Sequence, residues 1–377
     1  MVTASPTEIS LATYDPQHPV CRSGIEARPL ANGMVYLRHP KFSSQIIKRE
    51  TWAFLQMCDG SGLEELKEQI ATRLGFKLTL DQVRESVDSF AGRGIFEGTT
   101  ETDRFYRLCD ASPLIARLAP LVRWVASKWF AALTLAALLT CLALLAADWQ
   151  PFISEVGRAA RTRPAATVLL YYLTFIPIAL LHELGHAVVI RYYGGEVPEI
   201  VVRHNAHFAV LTNTSVLKDR MARVWYLSMG TVVDVYIWLA LLIAFHYRRD
   251  YVALVFLLPQ TIYFLLYSYS IFKNSDYLKA VAAGLGQPVP ARPWDFIRAS
   301  WRKRPESAAG RKLLQVMTAS LAVKLAVTIF LIWTFARAEY RVLVLYAIYR
   351  CLVYAIGHGP LWVRRLRQVT DGQRADV

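Results

Sequence analysis

Hydrophobic and polar residues alternate along this chain in two regimes. From residue 26 to about 100 the apolar positions are spaced as in a small water-soluble fold. "ARPLANGMVYLRHP" reads as two short strands around an Asn-Gly turn. "IIKRETWAFLQMCDG" predicts a helix closed by glycine. "GLEELKEQIATRLG" puts Leu63, Leu66, Ile70 and Leu74 on one helical side, with Gly75 as the stop. "TLDQVRESVDSFAGRGIFEG" opens on a Thr/Asp cap, carries Val83, Val87 and Phe90 at helical spacing, and ends in a Gly-rich turn and a short apolar strand. A strand pair, three helices and a closing strand make the outline of a winged helix. Residues 1–25 carry no such pattern and are expected to be a flexible leader.

Beyond about residue 128 the polar positions thin out. Apolar runs cover 129–147, about 167–190, about 224–246, about 251–272 and about 313–336, each long enough to cross roughly 30 Å of hydrocarbon. A sixth run, about 342–357, is less apolar and contains Arg350. The expected fold is therefore mainly α: a polytopic membrane protein of about six transmembrane helices (129–357), preceded by a small α+β domain (26–110) and a linker (111–128), and followed by a basic tail (358–377).

Composition sharpens this picture. Hydrophobic residues make up 54% of the 377-residue chain. The first 110 residues hold 13 Lys/Arg against 15 Asp/Glu, which leaves 30 against 14 for the remainder. The excess of positive charge thus belongs to the membrane part, where Lys/Arg favour the cytoplasmic side. The N-terminal domain lacks the basic footprint that phosphate contacts require, which argues against a nucleic-acid partner. "MVTASPTEISLATYDPQHPV" has neither a basic start nor an apolar core, so it does not read as a signal peptide. With the N-terminus inside, six spans place 191–223, 273–312 and the tail on the cytoplasmic side. These carry five, nine and four Lys/Arg, more than the opposite side receives. Both termini of a multi-pass cell-membrane (inner-membrane) protein are then cytoplasmic. Cys21, Cys58, Cys109, Cys141 and Cys351 are scattered and read as ordinary apolar residues rather than a disulfide framework.

Chemistry is concentrated in "LLHELGHAVV", residues 180–189, within the second span. His182 and His186, four apart on a helix, can grip one ion. Glu183, about 100° round from His182, can act as general base on a water without competing as a ligand. Three ionisable groups in a span are costly unless they pair or bind something. About 15 residues, roughly 22 Å, separate the outer end of that span from His182, which sets the site near the cytoplasmic end. The fourth span ends on the same side at "SIFKNSDYLK", so Asp276 arrives at matching depth and is the favoured third ligand. Asp234, in "SMGTVVDVYIW", is the rival; it can instead orient a ligand histidine or form a buried polar contact. His204 and His207, in "VVRHNAHFAV", are either near the metal or exposed loop residues. Lys324 and Arg350 read as snorkelling or helix-contact residues.

Residues from about 165 to 285 resemble the site-2-type intramembrane zinc metalloproteases. The similar features are HELGH at 182–186 in a span, "RYYGGEVPEI" after it, the Gly-containing "SMGTVVDV" and a late "NSDYLK". That family usually has Asp-Gly in the last motif, whereas this chain has Asp276-Tyr277, which leaves the local turn open. The resemblance implies that His182, His186 and Asp276 bind one Zn2+ and that Glu183 activates water. It also implies that "EIVVRHNAHFAVLT" edges the active site, where a peptide can add as a strand; the alternative is a hairpin packed on its own protein. Residues from about 26 to 100 resemble PqqD-like modules in "MVYLRHP", "FLQMCDG", "LEELKEQI" and "SFAGRGIFEG", with Cys58-Asp59-Gly60 the more specific part. Such modules bind a peptide as an added strand. The joint expectation is an intramembrane zinc endopeptidase acting on a membrane-associated or leader-bearing peptide recruited by its first domain. The alternatives are a peptide-binding chaperone or export partner without proteolysis, and a protease that releases a membrane-bound transcription regulator.

Overall fold

The structure, a computed structural model, describes residues 14–99, 101, 105–109, 112–125, 127–203, 208–268, 271, 275–290, 292–302 and 305–338. The chain divides into two units. One comprises Met1–Ala111, Gly195–His204 and Leu211–Val216; the other comprises Ser112–Gly194, Asn205–Val210 and Leu217–Val377.

In the first unit, β1 (Glu26–Pro29), β2 (Met34–His39) and β3 (Phe42–Lys48) form an antiparallel sheet in the order β1-β2-β3. Asn32 and Gly33 adopt φ of 57° and 71° between the first two strands, the left-handed backbone that an Asn-Gly turn supplies. Helix α1 (Arg49–Met57) follows β3 directly. It starts later than expected, because Ile46 and Ile47 pair with Tyr36 and Val35 as strand residues. Helix α2 (Leu63–Leu74) ends at Gly75 in left-handed conformation, and α3 (Leu80–Ala91) begins with a capping box between Thr79 and Gln82. Leu37, Leu55, Leu66, Ile70, Val83 and Val87 meet in one apolar core.

The expected closing strand is reduced to an isolated bridge between Phe96 and Cys21. Part of the expected flexible leader is fixed: Arg22 is buried and donates to the carbonyls of Gly94 and Thr99. The first unit also extends beyond its expected end. Strand β4 (Phe105–Cys109) pairs antiparallel with β5 (Glu199–Arg203), contributed by the stretch after HELGH. In the same unit, buried Asn213 donates to the Ala31 carbonyl, and Arg28 pairs with Glu196.

The second unit is helical apart from most of the short strand β6 (Phe208–Leu211). Its helices are α4 (Ser112–Leu118), α5 (Val122–Val125), α6 (Lys128–Ala147), α7 (Trp149–Thr162), α8 (Pro164–Tyr192), α9 (Arg220–Arg248), α10 (Tyr251–Leu266), α11 (Asp276–Leu285), α12 (Pro293–Arg302) and α13 (Ala308–Ala338). The expected linker is thus helical. Among the described residues, four helices are long and apolar enough to cross a membrane: α6, α8, α9 and α13, the last by its stretch Ala308–Thr334. They contain the first, second, third and fifth expected spans. The fourth is the shorter α10, whose 16 residues reach only about 24 Å. The sixth expected span, Arg350 and the tail lie outside the described residues.

Helix α7 is an amphipathic element between the first two expected spans. It buries Phe152, Ile153, Val156 and Ala159 in a core with Cys141 of α6, Trp238 and Phe245 of α9, and Leu254 and Leu257 of α10. At the α6–α7 junction, buried Asp148 accepts from Arg249 (2.9 Å) and lies 2.6 Å from His246 Nδ1.

Candidate metal centre

The site is assembled on the close approach of α8 and α9. A Cβ added to Gly185 would meet Val233 Cγ2 at 3.0 Å and the Met229 carbonyl oxygen at 3.1 Å, so the glycine between the two histidines lets α9 lie against α8. Gly230 performs the reciprocal task. A Cβ there would overlap His182 Nε2 and stand 2.6 Å from His186 Nε2. Tyr226, Gly230 and Asp234 repeat every four residues, one face of α9, and that face meets the histidine pair.

Each imidazole is held from behind. His186, 5% exposed, donates from Nδ1 to the Tyr226 carbonyl at 2.6 Å. His182 Nδ1 lies 2.6 Å from Oδ2 of Asp234, which is 1% exposed. The Asp234 backbone carbonyl accepts from Gln260 of α10. With the Nδ1 protons directed to these acceptors, both Nε2 atoms present lone pairs. They face each other at 3.2 Å. Asp276 Oδ2 completes the triangle, 3.2 Å from His186 Nε2 and 3.5 Å from His182 Nε2.

Three acceptor atoms converging without a proton between them repel unless a cation sits among them. Ligand atoms about 2.0–2.1 Å from a tetrahedral ion stand about 3.3 Å apart, so the observed edges match that separation. Two imidazole nitrogens and one carboxylate oxygen, with the space kept clear by Gly230, form a group that could hold a metal ion.

Asp276 is the first residue of α11, which Ser275 caps by accepting from Leu278 N–H. The residue after it, where glycine was looked for, does no harm: Tyr277 places its hydroxyl 2.9 Å from Ser320 Oγ of α13 and anchors the turn. Burial opposes the charge on Asp276, and the Lys279 ammonium, 3.5 Å from its second oxygen, favours it. Asp234 is the partner behind His182, and Asp276 is the carboxylate that meets both histidines.

Glu183 is half-buried, and its Oε2 accepts the backbone N–H of Val210 in β6 at 3.1 Å. The ring of Tyr263 from α10 stands edge-on to His182, centroids 6.2 Å apart. Lys324 places its ammonium 5.7 Å from the centre of the Tyr267 ring. His204 and His207 lie outside the described residues. The groups not anticipated are the Tyr226 carbonyl and Lys279; Gly230 is the glycine of "SMGTVVDV" and Val210 lies in the stretch expected to edge the site, although neither had an assigned role. No protein-family model, no curated protein and no solved structure matches this chain.

Proposed function

We propose that this protein is an intramembrane zinc endopeptidase of site-2 type, which hydrolyses a membrane-associated or leader-bearing peptide. The convergence of His182, His186 and Asp276 donor atoms within 4.8 Å of one another, with the histidines and Glu183 on a helix long and apolar enough to span a membrane, carries the reading. Bound there, zinc supplies Lewis-acid polarisation of a carbonyl and lowers the pKa of a neighbouring water.

The chain's own groups do the rest. His182 and His186 keep Nε2 free because Asp234 and the Tyr226 carbonyl take their Nδ1 protons. Glu183 accepts a proton from the attacking water and returns it to the leaving amine, so it acts first as base and then as acid. The apolar helices restrict bulk water, which strengthens each of these electrostatic contacts.

The N-terminal unit, read as a PqqD-like winged-helix module, captures the peptide. Its three-stranded antiparallel sheet and three helices support that reading, and tethering on one chain raises the peptide's concentration at the catalytic unit. In this reading the membrane part spans about six times, with α10 as the fourth span and both termini in the cytoplasm.

The test is Glu183→Gln in the full chain, co-expressed with short candidate peptides and read by peptide mass. Zinc content should stay at the wild-type level, and cleavage should fall by about 10² or more. Uncut peptide with wild-type protein would favour a binding partner without proteolysis; equal cleavage by the variant would remove Glu183 from the mechanism.

A further inference from the structure

Glu183 projects from the middle of α8 on a side chain with three rotatable bonds. Left to itself, such a chain samples many rotamers, and fixing one costs conformational entropy. The structure supplies one restraint. Among the described residues, the Val210 N–H is the hydrogen-bond donor to Glu183, at 3.1 Å from Oε2. A backbone donor on a strand is stiffer than any side chain, and a bond to a carboxylate is stronger than one between neutral groups. In an extended strand successive residues turn their N–H groups to opposite sides. The Val210 amide on the Glu183 side of β6 is therefore committed to the base and does not serve a peptide adding to this strand at that point.

We infer that the Val210 backbone amide is a positioning group for Glu183: β6 fixes one carboxylate oxygen and leaves Oε1 to take the proton from water. The inference rests on the reading of Glu183 as the base. It makes the placement of β6 a control on activity separate from the metal ligands, because a strand that slides withdraws the donor while His182, His186 and Asp276 keep their places.

Two measurements on the full chain in detergent micelles decide it. The first is amide hydrogen exchange at Val210, which needs no catalysis. Wild type and Glu183→Gln, which keeps an acceptor oxygen, should exchange slowly, and Glu183→Ala should exchange about tenfold faster or more. Equal exchange in all three overturns the inference. The second replaces valine 210 by its α-hydroxy acid, so that an ester removes this N–H, keeps the side chain and weakens only the carbonyl of Ala209. With fluorescently labelled casein as probe, kcat should fall about tenfold to a hundredfold, with KM and bound zinc unchanged. An unchanged kcat, or a loss of zinc, overturns it. If wild-type protein leaves casein uncut, the protease reading is what suffers, and the exchange result still judges the hydrogen bond.

Discussion

At the scale of single residues, Gly230 shows how the site overrides local preference. Glycine inside a helix costs about 1 kcal/mol relative to alanine, so Gly230→Ala should favour α9 as a helix. Yet the added methyl would fall on His182 Nε2 and 2.6 Å from His186 Nε2. Neither ring can swing away cheaply, because Asp234 and the Tyr226 carbonyl grip the far nitrogens. The expected outcome for Gly230→Ala is unchanged helical circular dichroism with less than about a tenth of wild-type zinc after gel filtration, since second-partner losses alone cost about 10–100-fold in affinity. A fully loaded variant would show that the space before the two nitrogens is not where the cation sits. Gly185→Ala should be milder, its closest neighbours being 3.0–3.3 Å away on α9.

Elements differ in how openly the sequence announces them. Helices α2 and α3 carry their own punctuation, Gly75 at one end and the Thr79–Gln82 box at the other, so their bounds follow from local rules. Strand β3 does not: Ile46 and Ile47 adjoin a helical pattern, and only pairing with Tyr36 and Val35 makes them strand. Helix α7 had a readable apolar face in Phe152, Ile153, Val156 and Ala159, but it sits between two spans where a connection was expected. The end of α1 carries a consequence for pH. Burial pushes the Cys58 thiol up to about 12 and, in the bridge beside it, Cys21 up to about 11. Unfolded, both titrate near about 8.5. The folded unit therefore holds protons that the unfolded chain gives up, so this contribution to stability is complete below about pH 8.5 and is lost as pH rises towards 11–12. At pH 8, alkylation of Cys58 should be about a thousandfold or more slower in the folded protein than in guanidinium, because only the thiolate reacts. Comparable rates would mean that the thiol is not buried as described.

Across the whole molecule, the candidate site was legible where it is local and obscure where it is not. His182, Glu183 and His186 declare themselves within five residues, and Asp276, 94 positions from His182, could be placed only by following spans from face to face. The Val210 amide and Tyr226 carbonyl are backbone groups, an N–H that every residue but proline offers and a carbonyl that every residue offers, so residue identity does not mark them. The same non-local assembly ties the metal to stability. A site built from α8 and α11 exists only in the folded helical unit, so a cation bound there stabilises that unit by RT ln(1 + [L]/Kd), about 2.7 kcal/mol at a hundredfold excess over Kd. Two buried thiols report the two units separately: Cys58 lies in the core of the first and Cys141 in the core of the second. In pulsed alkylation during heating, excess EDTA should lower the midpoint for Cys141 by about 5–10 °C and leave that for Cys58 in place. The Asp276→Ala protein should start at the lower Cys141 midpoint and ignore EDTA. A shift shared by both thiols, or one that persists in Asp276→Ala, would place the stabilising ion somewhere other than between these two helices.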